Sequence, residues 1–275
     1  MEILKMPDRE YHAIKDRCSA SVLKPLRKSP AHMQAAANNS EESESMALGS
    51  LFHCMVLEPE ELSARYIKAE KFDRRTAAGK IAAEKFATEN KGKIIVDPED
   101  WEKADIMADS ARSHTKAGKL LDAAAFVEGV VLFEIDGIPC KAKLDLFAHG
   151  FVIDLKSTKD ASPESFQRDF VKYGYHIQGA FYRRAARAAG LDCRGFAIIA
   201  TENNSPYCSA VYELSENALR LGDQIINKLL PVWQECRQTD QYPGYPEIIT
   251  TLDLPAWELK NLDDKPAMAG GVIQF

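Results

Sequence analysis

The chain has 275 residues, 45% of them hydrophobic, and a formal net charge of −6. A chain of this length can bury roughly three quarters of its unfolded surface, so one sizeable core is expected. The acidic balance excludes attachment to nucleic acid by bulk charge alone, while leaving room for a basic groove on an otherwise acidic protein. No apolar run approaches the roughly 20 residues of a membrane helix, and no apolar segment follows a basic start. A cytoplasmic protein with no membrane partner is expected. The cysteines are Cys18, Cys54, Cys140, Cys193, Cys208 and Cys236, without a CxxC pair, so free thiols in a reducing compartment are expected.

The first half reads mostly helical. Ser19 or Ser21 can cap a helix through Val22, Leu23 and Leu26, and Ser29-Pro30 supplies a second cap with proline at the first helical position. "NNSEESES" (38–45) reads as a loop. Leu48, Leu51, Phe52, Met55 and Val56 then recur at helical spacing. Residues 74–91 suggest a helix with a basic surface, "KIIVD" (93–97) a short strand, and "PEDWEKADIMADSARSH" a helix opened by Pro98. Near residue 126 the texture turns to β-branched and aromatic residues punctuated by Asp136-Gly137 and His149-Gly150. These predict three antiparallel strands at about 127–135, 138–147 and 151–157. Helices at about 163–172 and 175–189, strands at 195–201 and 207–214, and a helix from the Ser215 cap to about Cys236 follow. The tail, with "YPGYPEIITTLDLPAW", reads as extended and irregular.

The stretch "LFAHGFVIDLKST" (146–158) places an acid and an amine in an otherwise apolar strand. With a two-residue turn at His149-Gly150, Ala148 pairs with Phe151. Three residues outward Asp145 then faces Asp154, and Lys143 faces Lys156. Because side chains alternate along a strand, these four residues would share one face, with Ile153 and Leu155 on the other. Opposed carboxylates repel. A solvated polar face with compensating lysines would explain many such hairpins, but later elements are expected to cover this sheet. A divalent cation between the carboxylates would offset the repulsion, and oxygen ligands suit Mg²⁺ or Mn²⁺. An ammonium beside them can orient water and stabilise developing negative charge.

An Asp followed by Asp-x-Lys on the next strand is the pattern of the PD-(D/E)XK nucleases. Gly49 and His53 add G-x-x-x-H on an upstream helix. Gln178 and Tyr182 add Q-x-x-x-Y, on one face of the helix after the strands. The ordered set, with Glu128 on the first strand, resembles the RecB-like branch of that superfamily. Within it, "SPAHM", "LGSLFHCMVLEPE", "GIPCKAKLDLF", "VIDLKST", "HIQGAFY" and "YPGYPEIITTLDLPAW" resemble the catalytic domain of RecE-type exonucleases (exodeoxyribonuclease VIII) of prophages and bacteria, over nearly the whole chain.

The resemblance implies an α/β (α+β) restriction-endonuclease-like αβββαβ core, with a mixed central sheet flanked by helices. One domain is expected: a helical part at 1–125 carrying Gly49 and His53, a catalytic core at 126–236 and a tail at 237–275. It further implies Mg²⁺, replaceable by Mn²⁺, with two ions per site. It implies digestion of linear double-stranded DNA from its ends, 5′ to 3′, leaving 3′ overhangs for a single-strand annealing protein. A ring-like homo-oligomer, a tetramer, is implied as well.

Under this resemblance Asp145 and Asp154 hold metal, Lys156 positions or activates the attacking water, and the Leu155 carbonyl completes a coordination shell. His53 is a metal ligand, although a lone His on an apolar helix is more often a packed core residue, and Gly49 lets its helix approach a neighbour. Glu128 binds metal directly or through water, or caps the sheet edge, with Glu134 as competitor. Gln178 and Tyr182 contact the scissile phosphate or the terminal nucleotide, or bond to the sheet, and Tyr173, Tyr175 and His176 stand close by. Arg74, Arg75 and Lys80 form one candidate DNA-binding patch, and Arg183, Arg184 and Arg187 another, although such runs are usually solvated helix faces. The competing readings are a RecB-type nuclease of other polarity or single-strand preference, including iron–sulfur types, and a non-catalytic DNA-end or protein-binding module. The wide spacing of Cys193, Cys208 and Cys236 argues against an iron–sulfur cluster, and the intact Asp145, Asp154 and Lys156 against a non-catalytic module.

Overall fold

A computed structural model describes residues 2–38, 44–73 and 75–255. Most of the loop expected at 38–45, and Arg74 of the first basic patch, lie outside the described residues. The chain divides into a unit ending at Gly244 and a second beginning at Tyr245. The described residues of the second, 245–255, contain no helix or strand.

The N-terminal part of the first unit consists of β1 (Leu4–Lys5), α1 (Asp8–Ala13), α2 (Ala20–Leu26), α3 (Pro30–Asn38), α4 (Glu44–Leu57), α5 (Leu62–Arg65), β2 (Tyr66–Lys68), α6 (Ala77–Glu89), β3 (Ile94–Val96), α7 (Pro98–Ser113) and α8 (Thr115–Asp122). There follow β4 (Phe126–Ile135), β5 (Ile138–Ala148), β6 (Phe151–Thr158), α9 (Pro163–Lys172), α10 (Tyr175–Ala188), β7 (Gly195–Glu202), β8 (Ser209–Glu213) and α11 (Glu216–Thr239). Two of the suggested caps form, while Ser19 stands at the head of α2 without a side-chain capping bond, its hydroxyl paired with that of Ser21 at 2.9 Å. The Ser29 hydroxyl accepts from the His32 amide at 3.3 Å ahead of Pro30. Ser215 accepts from the Ala218 amide at 3.2 Å at the head of α11. Unforeseen were β1, α1, α5, β2 and α8, all short. The helix from Ser215 also runs past Cys236 to Thr239, so the irregular segment starts later than expected.

The main sheet has six strands in the order β1-β4-β5-β6-β7-β8. Only β6 and β7 run parallel. The α9–α10 crossover makes that pairing possible. Both hairpins turn on two residues with left-handed backbone, Asp136-Gly137 and His149-Gly150. Positive φ at both turn positions matches strand twist, which is why Asp-Gly and His-Gly serve here. As predicted, Ile135 pairs with Ile138 and Ala148 with Phe151.

The sheet is covered on both sides. On one, Val131, Phe133, Ala142, Leu144, Val152 and Ile198 pack with α2, α3, α9, α10 and α11. On the other, Leu146, Ile153, Leu155 and Ile199 pack with α4, α7 and α8. Helix α10 lies closest. A side chain at Gly179 would meet Leu214 and Phe196 at 2.7 and 3.0 Å, and one at Gly222 would meet the His176 carbonyl at 2.2 Å. Glycine at these points lets α10 press on the sheet and α11 on α10.

Alternation fails at one level of the sheet. On β5, Cys140, Ala142 and Leu144 face the α10 side, and so does Phe147, while Leu146 and Ala148 face α4. On β4, Val131, Phe133 and Ile135 face α10, as does Phe126, while Val127 faces α4. Each strand therefore shifts by one residue at the same point. The register is unchanged on either side, with Val127 opposite Leu146 and Gly129 opposite Leu144. The skipped residues are Glu128 and Asp145, and Glu128 holds φ at 52°. Paired bulges of this kind re-aim side chains.

Candidate metal centre

The two bulged residues meet His53 of α4. His53, Glu128 and Asp145 each place one ligand atom within 4.8 Å of the others. Among the described residues this is the one such group of three or more His, Cys, Asp or Glu. They line an open cavity of about 490 Å³ together with Gly49 and Lys156. The cysteines are free, and all but Cys208 are buried.

The β5–β6 ladder ends at Leu146–Ile153, one step short of Asp145 and Asp154. Beyond it the Leu155 amide donates to the Asp145 Oδ2 at 2.8 Å, a carboxylate standing in for the missing ladder carbonyl. The His53 Nε2 lies 2.6 Å from the Leu155 carbonyl. A carbonyl only accepts, so Nε2 carries the proton and Nδ1 is bare. That bare nitrogen faces the Asp145 Oδ2 at 3.7 Å. Burial holds the His53 pKa below its ordinary value, with Lys156 adding to the effect, so the imidazole is neutral, as a ligand must be.

The carboxylates are crowded. Glu128 is pushed up to about 7 by burial and by Asp145, against the opposing pull of Lys143. Asp145 is also pushed up to about 7, by burial and by the Asp154 charge. Part-buried carboxylates whose pKa values are raised by desolvation and by a neighbouring acid, beside a neutral imidazole with a bare nitrogen, form a donor set suited to a hard or borderline divalent ion. His53, Glu128 and Asp145 would hold it.

Asp154 forms the second half of the site. Its Oδ1 accepts from the Gln178 Nε2 at 2.6 Å and its Oδ2 is ion-paired with Lys156. Burial works against the Lys156 charge, yet Asp154 and Asp145 hold its pKa above the ordinary value. Tyr182 packs edge-on against Phe196. Burial drives its hydroxyl pKa well up, against a hydrogen bond to Gln178. Gln178 and Tyr182 thus point together, as their spacing suggests. Tyr175 turns its ring to Lys156, with Nζ 5.6 Å from the centroid. His176 is buried, its ring 5.6 Å from Phe170, and Tyr173 is exposed.

Several expectations need correction. Lys143 does not face Lys156. The bulge turns it to Glu128 at 2.6 Å and Asp8 at 2.5 Å. Gly49 is not a point of close approach among the described residues, since a side chain there would meet none of them within 4 Å; it lines the open cavity instead. The Leu155 carbonyl does stand at the site, where it accepts the His53 N–H and keeps a second lone pair. Glu134 is exposed near the first turn, paired with Pro139, which leaves Glu128 as the β4 carboxylate at the site. Arg183 and Arg184 are not a solvent-facing patch. Arg183 is buried between Glu216 at 2.8 Å and Asp223 at 3.0 Å, and Arg184 meets Asp223 at 2.6 Å. Arg187 donates to the Cys193 carbonyl at 2.9 Å. Arg75 and Lys80 are exposed, with Arg75 paired to Asp73.

Sequence reasoning missed Lys24, whose Nζ donates to the Gln178 Oε1 at 2.7 Å. A readable signal existed: Lys24 is four residues after buried Ala20, on the inward face of α2. It also missed Asp8, which lies on the short, unforeseen α1.

A sheet with paired bulges, two aspartates and a lysine on adjoining strands, and an amide from the covering helix defines a PD-(D/E)XK-type centre. Residues 19–255 match the family described as PDDEXK-like domain of unknown function (DUF3799), and the chain belongs to that family. A solved structure described as a "putative exonuclease" from Eubacterium rectale is similar in fold, with a TM-score of 0.62 and 16% identity over 93% of this chain and 98% of that one. No curated protein matches the chain in sequence. No helix among the described residues is long and apolar enough to cross a membrane.

Proposed function

We propose that the protein is a divalent-metal-dependent nuclease that hydrolyses linear double-stranded DNA from its ends. The observation that carries this reading is the convergence of His53, Glu128 and Asp145 beside the Asp154–Lys156 ion pair. A divalent ion bound there supplies a nucleophile at neutral pH and neutralises charge on the phosphate. The chain's own residues do the rest. His53, Glu128 and Asp145 hold the ion, with Asp154 free to join them if its pairing with Lys156 and Gln178 loosens. The Lys156 ammonium orients the attacking water and faces the negative charge that develops on the phosphoryl oxygens. Gln178 and Tyr182 fix the Asp154 side of the site, and the cavity under Gly49 admits the strand end. Arg75 and Lys80 remain candidates for the phosphate grip.

The finer reading follows from the RecE-type resemblance. The enzyme uses Mg²⁺ or Mn²⁺, two ions per site, and degrades one strand 5′ to 3′. It leaves 3′ overhangs for a single-strand annealing protein and works as a ring-like homotetramer in the cytoplasm. The discriminating experiment incubates purified protein with end-labelled linear duplex and covalently closed circles. Loss of the linear DNA with Mg²⁺ or Mn²⁺, label release from 5′ ends, and arrest by EDTA are expected. Undiminished cleavage in EDTA excludes the metal reading, and equal cleavage of circles excludes the end requirement.

A further inference from the structure

An amide side chain has an accepting end and a donating end, and Gln178 uses both at the site. Its Nε2 donates to the Asp154 Oδ1 at 2.6 Å, and its Oε1 accepts from the Lys24 Nζ at 2.7 Å. A carboxylate can only accept and an ammonium can only donate. With Lys24 on one side and Asp154 on the other, a single amide orientation satisfies both, and the flipped one sets like against like twice. Without Lys24 the oxygen loses its cationic partner, and Asp154 alone is left to hold the amide.

Lys24 is held in an unusual place. Among the described residues it forms no ion pair. It lies 5.3 Å from the centroid of the Tyr175 ring, which Lys156 also faces at 5.6 Å. Burial and the neighbouring Lys156 push its pKa down to about 8, so the fold keeps a cation there against a cost. A lysine placed only to cover apolar surface would carry its ammonium out to water. This one turns inward, to the amide of a residue 154 positions away.

We infer that Lys24 is a positioning residue: by holding the Gln178 Oε1 it fixes the amide, and through it the Asp154 carboxylate, in the orientation that pairs Asp154 with Lys156. The kinetic part of this inference rests on the nuclease reading, and the geometric part does not.

The test uses the full chain with Lys24→Met, Lys24→Arg, Gln178→Leu and the Lys24→Met/Gln178→Leu double variant, and with Lys24→Gln where the Met variant does not fold. In metal-free protein the Gln178 side-chain amide resonances are identified by their disappearance in Gln178→Leu. The proton donated to Asp154 is expected to be shifted and slow to exchange in the parent. It should lose both properties in Lys24→Met and regain them in Lys24→Arg. Unchanged resonances in Lys24→Met overturn the inference. In single-turnover cleavage, Lys24→Met should be about tenfold slower, the scale for losing one hydrogen bond to a charged group, with KM for DNA unchanged. In the Gln178→Leu background the same change should have no further effect. Multiplying effects, or a loss confined to KM and sensitive to salt, would mean that Lys24 touches the phosphate directly, and would overturn the inference. If the parent cleaves nothing, the nuclease reading fails while the resonances still decide the role of Lys24.

Discussion

Helix α10 contributes to two charged clusters built on opposite lines. In one, Arg183 and Arg184 meet Glu216 and Asp223, two cations against two anions with every contact between unlike charges. In the other, Glu128, Asp145 and Asp154 crowd around Lys143 and Lys156, and two of the acids are driven to about 7. The first cluster ties α11 to α10. The second holds like charges together, and does so with a bulge in each of two strands and a left-handed backbone at Glu128. Strain and repulsion concentrated at one level of a sheet mark a place where stability is given up for a ligand. Balanced charge marks structure.

The largest effect expected from breaking this contrast is at Asp145. Asp145→Asn keeps the shape of the bulge but removes a negative charge that faces His53 at 3.7 Å and raises the Glu128 pKa. Cleavage should fall to background and calorimetric Mn²⁺ affinity should drop sharply. An Asn variant that binds Mn²⁺ like the parent would show that the crowded cluster is not the metal centre.

Lys156→Ala comes next. It removes a cation rather than a ligand, so Mn²⁺ binding should persist while single-turnover cleavage falls roughly 10²–10³-fold. Cleavage at the parental rate would sink the assignment of Lys156.

Arg183→Met probes the balanced cluster. Breaking a buried pair costs about 3–5 kcal/mol, but Glu216 is 73% exposed and keeps its water. A loss of about 2 kcal/mol in denaturant unfolding is expected, between that range and the small worth of an exposed pair. Cleavage per folded molecule should not change. The reverse result, intact stability with weaker and salt-sensitive DNA binding, would return Arg183 to the role its sequence setting suggested.

The two clusters were unequally legible, for a physical reason. Asp145, Asp154 and Lys156 sit next to a His-Gly turn that fixes register within a few residues, so their meeting could be counted along the chain. Counting failed for Lys143 because it assumed unbroken alternation, and the bulges at Glu128 and Asp145 leave no mark in composition. Gln178 and Tyr182 share a face by helical period alone. Arg183 and Arg184 could not be judged without Glu216 and Asp223, which lie on the next helix, 30 to 40 residues on. The basic run looked the same whether or not acids met it. Lys24 reaches its partner only through tertiary packing of α2 against α10.

The smallest effect is also the most direct measure of crowding. In the metal-free protein Glu128 and Asp145 titrate near 7, against ordinary values of 4.5 and 3.8. Between about pH 4 and 7 the folded protein therefore binds more protons than the unfolded chain. Stability falls as pH rises through that window and levels off above it. Each pKa unit corresponds to about 1.4 kcal/mol, and protonating one acid relieves the other, so a few kcal/mol bounds the pair. His53 works the opposite way, since its lowered pKa favours the folded state as pH rises toward 6.5. Parent and Asp145→Asn both keep that imidazole, so their difference is dominated by the acids. In EDTA, the unfolding midpoint of the parent should fall more steeply between pH 5 and 7.5 than that of Asp145→Asn, and the variant should be the more stable of the two at pH 7.5. Mn²⁺ added at pH 7.5 should raise the parent and leave the variant nearly unmoved. Glu128→Gln should lie between them, because it relieves Asp145 but strips Lys143 of one of its two acidic partners. Parallel pH profiles with equal Mn²⁺ effects would mean that the carboxylates do not burden the fold, and the contrast between the two clusters would be lost.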